Sequence, residues 1–336
     1  MMNLPSEPVP QNKKLIARIK TLIAVVSAWF EAHGWAKTIA TVLLITVPIY
    51  FLGRSLATNW QTLQAADIQI DWGRMLLSLV ILLAAFALFP LGTLICFRGL
   101  GVRLTYPQAY YGYHASQLGK YLPGRIWIIP GRAVALKRHG VDPLIAGASA
   151  LIDMYVLIAA GVLVYLPSLF QPGQGSMKQL GLLGLLLCLP LLLSLVFPKL
   201  LNRLFSLILG WVGRGELDIQ FAWYHFAGML MTYLMLWTLS GVGLFLLADS
   251  FSPLALGDLT QVIGAMGFSW VLGTVSFLTP AGLGVREGAM GLLMGSLIPA
   301  PLPALLAILS RFWWTLADFG SIGLAFVLSG RQEKGE

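Results

Sequence analysis

The chain has 336 residues, of which 57% are hydrophobic and 11% charged, with a formal net charge of +8. Soluble domains carry roughly a quarter charged residues, so a water-soluble fold that hides this much apolar surface is excluded. Cys96 and Cys188 both fall in apolar runs, and the four histidines show no metal-ligand spacing, so the sequence implies no disulfide framework, catalytic metal or cofactor. The positive charge calls for no nucleic acid, because basic loops of a membrane protein face anionic lipid headgroups.

In chain order, the first element is the basic stretch KKLIARIKTLIAVVSAWFEAHGWAK from Lys13. Leu15, Ile19, Leu22 and Val26 recur at helical spacing opposite Lys14, Arg18 and Thr21, which predicts an interfacial amphipathic helix within a cytoplasmic segment 1–36. A cleaved signal peptide is the competing reading. Glu31, His33 and the lack of a small-residue cleavage site argue against it.

A hydrocarbon core of about 30 Å takes about 20 apolar residues as helix. Uncharged runs of that order are Met75–Phe97, Gln179–Phe197, Ala222–Ala248, Leu259–Val285 and Gly288–Ser310. Further spans are expected at Thr38–Gly53, at Pro143–Leu166 with its single Asp153, and at Pro303–Leu328 with Arg311 and Asp318. PKLLNRLFSLILGWVG from Pro198 reads as a second interfacial helix. The expected fold is an all-α polytopic membrane bundle of about six full spans and two Pro/Gly-broken hairpins. It forms one transmembrane domain, 37–330, with halves at about 73–166 and 222–328, followed by a short tail, 331–336.

Lys and Arg accumulate on the cytoplasmic side. With both termini inside, cytoplasmic segments hold fourteen basic residues, among them Arg98, Arg103, Lys137 and Arg138, and external segments three: Arg54, Arg74 and Lys178. That count requires two regions to begin and end on one side each, Pro107–Leu136 and Leu259–Leu297. Each is a re-entrant hairpin or a pair of short spans, and the sequence leaves the choice open. The first contains GKYLPGRIWIIPGR (Gly119–Arg132) and the second SFLTPAGLGVREG (Ser276–Gly288). In both, an aromatic-Leu pair leads into a Pro/Gly break and then an arginine, entering from opposite faces, which suggests an inverted repeat. Broken backbone at membrane depth survives only where protein or a wet cavity satisfies it, and such paired breaks point to a transport site.

YLPGRIW followed by PGR, and later TPAGLGVREG, resemble the paired motifs of the membrane region of lysylphosphatidylglycerol synthases and of the stand-alone flippase-like proteins grouped with it. The likeness runs from about Thr38 to Leu328. It implies a multi-pass prokaryotic plasma-membrane protein that flips or handles lipids, aminoacylated phospholipids and polyprenyl-linked sugars included, with possible partners in lipid or glycan biosynthesis. Full-length synthases add a soluble aminoacyl-transfer domain; this sequence ends at Glu336 just after its last span, so an enzyme activity of that kind is not expected. Where the family pattern has a Glu-Arg pair in the span after the first motif, this chain reads ALIDMYVL, with Asp153 at that place.

Charges inside spans are costly and mark pathways or partners. Asp153, Arg286, Glu287, Arg311 and Asp318 meet that description. Arg286 suits a lipid phosphate through its bidentate guanidinium, and Glu287 is expected to pair with a base such as Arg311. Pro280, Gly282 and Gly284 lie at the break before Arg286, where backbone N–H groups at a helix start favour an anion. Pro123 and Gly124 form the first break, and Lys120, Arg125 and Arg132 around it could collect an anionic headgroup; positive-inside bias alone also accounts for them. Asp153, Glu287 or Asp318 could couple movement to protons, since burial favours a neutral carboxyl. Arg311 and Asp318 serve equally well as structural ion pairs.

The expected function is therefore a flippase or transporter for an anionic or polyprenyl-phosphate-linked lipid, working by alternating access. A membrane-embedded transferase with a polyprenyl-phosphate donor competes, although Asp67, Asp71, Asp249 and Asp258 form no DxD-like pair. A lipid-binding partner of a biosynthetic complex that transports nothing is the third reading.

Overall fold

The computed structural model describes residues 69–121, 127–170, 182, 186, 221–276, 282, 284–300 and 302–332. Every regular element among them is helical. Helix α1 runs Trp72–Phe86 and, after one break at Ala87, Leu88–Gly99. Helix α2, Tyr106–Ser116, continues as a 3-10 turn, Gln117–Tyr121, and α3 returns over Ile128–Lys137. Helix α4 is Pro143–Leu163, extended by a 3-10 turn to Phe170. Then come α5, Trp223–Asp249, α6, Leu259–Val275, α7, Val285–Met294, and α8, Leu302–Gln332.

Local chemistry sets the starts. Asp71 accepts from Arg74 N at 3.1 Å to begin α1, and Asp142 accepts from Leu144 N at 2.8 Å to begin α4, with Pro143 in the first turn where its missing N–H costs nothing. Gln108 reaches back to Thr105 N at 2.9 Å at the head of α2.

Four stretches are long and apolar enough to cross a membrane: Trp72–Gly99, Pro143–Phe170, Trp223–Asp249 and Leu302–Ser329. Their outward faces carry Leu76, Val80, Met231 and Val327, each more than half exposed, an apolar surface that only lipid tails or another apolar partner can cover. The chain is a helical membrane bundle.

The expected six full spans are not reached among the described residues. Thr38–Gly53 and most of Gln179–Phe197 lie outside them, as do the helices expected near Lys13 and Pro198. The uncharged runs Leu259–Val285 and Gly288–Ser310 do not form spans of their own. The first ends its helix at Val275, and the second is divided between α7, which ends at Met294, and α8, which begins at Leu302, with Pro299 between them. Proline lacks the N–H a helix interior needs, and the residue before it disfavours helix. Both ambiguous regions are thus broken hairpins. The expected inverted repeat is not carried by these helices, since the arms are 11 and 10 residues long in one hairpin and 17 and 10 in the other.

Contacts give the direction of each helix. At one end of the bundle Arg74 pairs with Asp249 at 2.7 Å, and Asp71 N donates to Ser250 O at 2.8 Å. At the other, the Phe221 ring lies against Gly99 so closely that a Cβ there would sit 2.6 Å from it. Helices α1 and α5 are therefore antiparallel. Tyr233 reaches Asp153 and Trp237 donates to Leu157 O at 3.0 Å, so α4 runs with α5. Gly161 and Gly267 bring α4 and α6 into backbone contact, and Ser168 meets Thr260 O at 3.3 Å, so α6 starts from the Arg74 end. Gln261 holds Ser296 at 2.7 Å, which returns α7 to that end, and α8 crosses back. Tyr111 against Phe326 and Tyr121 stacked on Phe319, each at 5.5 Å, show α2 entering from the opposite end along α8. The two hairpins enter from opposite ends. Helix α5 packs on α1, α4, α6 and α8 at the centre, with Trp237, Tyr233 and Leu236 fully buried.

Candidate functional site

The inner ends of both hairpins meet the middle of α8. Lys120, at the end of α2, pairs with Asp318, and Tyr121 OH lies 3.3 Å from the same carboxylate. From the other hairpin, Glu287 Oε1 lies 3.2 Å from Arg311 Nη1, the partner expected for it. Between these pairs the Arg286 guanidinium lies over the Trp314 ring, 4.8 Å from its centroid. Trp270, Gly273 and Thr315 complete the walls of a small cleft. Lys120, Arg286, Arg311 and Asp318 are all less than a tenth exposed.

Each side chain has a positional cause. Gly284, whose φ of +85° suits glycine, is the residue just before α7. Glu287 Oε2 accepts from Gly284 N at 2.7 Å, so this carboxylate caps α7 with one oxygen and meets Arg311 with the other. The Gly284 N–H expected to await an anion is thereby occupied. Gly282, with φ +71°, runs against Gly273, where a Cβ would fall 2.3 Å from the Gly273 carbonyl oxygen. A Cβ on Gly273 would in turn come 2.9 Å from Arg286 Cβ. The glycines thus let α7 approach α6 and fix where Arg286 emerges.

Lys120, Arg286 and Arg311 are buried beside Asp318 and Glu287, where ionic attraction is strong and charged hydrogen bonds are short and specific. The cleft offers about 20 Å³ to the centre of a water-sized sphere, room for about one water by the usual measure of ~10–15 Å³. A headgroup enters only if the walls move apart.

Arg132 and Asp153 do not line this cleft. They pair with each other at 1% exposure each, and Asp153 also accepts from Thr93 Oγ1 at 2.7 Å and Tyr233 OH at 2.9 Å. Ser149 and the Tyr113 ring, 5.2 Å from the guanidinium, enclose Arg132. With both carboxylate oxygens engaged, this cluster joins α1, α3, α4 and α5. Pro123, Gly124, Arg125 and Pro280 lie outside the described residues.

Tyr121, Trp270, Gly273, Trp314 and Thr315 are not among the site residues that the sequence analysis named. One signal was available: Trp314 and Thr315 follow Arg311 by three and four positions, the spacing that shares a helix face. Among the described residues no three His, Cys, Asp or Glu side chains converge to hold a metal. The acidic residues weighed for a transferase have local roles: Asp71 and Asp249 hold Arg74, and Asp258 accepts from Ala255 N at 3.0 Å; Asp67 lies outside the described residues. Compared with known proteins, the chain matches no protein-family model and no curated protein.

Proposed function

We propose that this protein is a carrier that moves an anionic phospholipid or a polyprenyl-phosphate-linked intermediate between leaflets by alternating access. The observation that carries the reading is the buried cleft of Lys120, Arg286 and Arg311 where two broken hairpins from opposite ends of a membrane bundle meet. Buried cations are costly, and here Asp318 offsets Lys120 while Glu287 offsets Arg311. Arg286 suits a phosphate: the guanidinium gives two parallel donors, and the Trp314 ring beneath holds its plane. Arg98, Arg103, Lys137 and Arg138 gather at one end of the bundle, which on this reading faces the cytoplasm of a prokaryotic cell.

The test is lipid movement in vesicles containing the purified protein, followed with a fluorescent-tailed phosphatidylglycerol and, separately, a phosphatidylcholine. Exchange of the anionic lipid should exceed that of the zwitterion and should fall roughly 10- to 100-fold in Arg286→Ala, the range set by one charged hydrogen-bonding partner. Retention of phosphatidylglycerol by the purified protein with no exchange would favour a lipid-binding partner over a carrier.

A further inference from the structure

We infer that the two ion pairs on α8 are separate gates in series, one for each face of the membrane, and that the structure has both closed. The inference rests on the carrier reading above, and the evidence for it is geometric. Helix α8 runs from the Arg74 end to the basic end, so along it Arg311 comes first, then Trp314, then Asp318. Seven residues separate the two charges, about 10 Å at 1.5 Å per residue. Trp314 is at mid-depth: it stacks on Trp237, 6.0 Å between centroids, and Trp237 is the fifteenth residue of the 27-residue α5.

Each hairpin closes on its own side of that plane. The hairpin from the basic end presents Lys120 to Asp318, toward the basic end; the hairpin from the Arg74 end presents Glu287 to Arg311, toward the Arg74 end. Arg286 and Trp314 lie between the two closures. A single helix thus latches both hairpins, at Asp318 and at Arg311. Opening one pair uncovers the centre to one face while the other pair keeps the second face shut, which is the requirement for alternating access without a leak. An arriving phosphate supplies the exchange, since it competes with Asp318 for Lys120 from one face and with Glu287 for Arg311 from the other.

The experiment places a cysteine at Thr315, which lines the cleft between the gates, in a chain with Cys96 and Cys188 replaced by alanine. Labelling by a membrane-impermeant thiol reagent is then measured in vesicles of each orientation. With both gates intact, labelling is slow from both faces. Asp318→Asn should raise it roughly tenfold from the basic face only, and Glu287→Gln by a similar factor from the Arg74 face only, a shift of ordinary coupling size. The double exchange Lys120→Asp with Asp318→Lys should restore slow labelling, which a mere folding defect would not. Equal labelling from both faces in either variant, or no change in either, overturns the gates. Because the readout is accessibility, gating with no lipid exchange would sink the carrier reading and leave the gates standing.

Discussion

Two buried ion pairs of similar composition have opposite prospects, and the difference lies in their partners. Asp153 has Arg132, Thr93 and Tyr233 on its two oxygens, so nothing in its setting invites exchange. Asp318 has Lys120 and a longer contact to Tyr121 OH at the edge of a cleft. Removing one member of a buried pair strands the other, at about 3–5 kcal/mol. Asp153→Ala should therefore lower stability by that order, seen as a marked fall in melting temperature of the detergent-solubilised protein. Arg132→Met with Asp153→Leu should recover much of the loss, because apolar replacements leave no buried charge. Asp318→Asn keeps the size and one acceptor; it should lower melting by leaving Lys120 without its anion and, unlike Asp153→Ala, should raise cleft accessibility. The sequence marked Asp153 and Asp318 as intramembrane and set Lys120 and Arg132 around the first break. It did not say which were locked, since that depends on Thr93 and Tyr233, 60 and 80 positions from Asp153.

At the scale of elements, the second hairpin depends on how closely α6 and α7 approach. Gly282→Ala would put a methyl 2.3 Å from the Gly273 carbonyl at φ +71°, and a left-handed conformation alone costs about 1–2 kcal/mol for a residue with a Cβ. The variant should melt lower and lose anionic-lipid retention, because α7 carries Arg286. Glu287→Ala removes both the cap on α7 and the partner of Arg311, whereas Glu287→Gln keeps an amide oxygen for Gly284 N. The alanine variant should be less stable than the glutamine variant by about 1 kcal/mol, the usual worth of an N-cap, read as the difference in thermal or denaturant midpoint. The Pro/Gly punctuation located both breaks in the sequence, but the tight contact of Gly282 with Gly273 joins residues on two helices and left no local signature.

Across the whole molecule, the arrangement is set by which ends come together. Arg74 with Asp249 and Gly99 with Phe221 orient α1 against α5, and every later direction follows. Cysteines at Lys137 and Leu256, both exposed and at opposite ends, should label from opposite faces of sealed vesicles, Lys137→Cys from the cytoplasmic side. Labelling of both from one face would refute the two-ended bundle.

The amino-acid sequence by itself determined that the chain lives in a membrane, where its long apolar runs lie, where proline and glycine break them, and which charges sit at membrane depth. These are local properties: hydropathy over about twenty residues, a missing N–H, a single costly charge. Glu287 with Arg311 was also within reach, since both are charges inside predicted spans and are opposite in sign. Only the tertiary structure decided that Lys120 meets Asp318 across 198 positions, that Arg132 turns away to Asp153, and that Arg286 rests on Trp314 between two ion pairs. Those pairings follow from the directions of α2, α6 and α8 in the bundle, which depend on close contacts such as Gly99 on Phe221 and Gly161 on Gly267, and no short stretch of sequence encodes a meeting of surfaces so far apart along the chain.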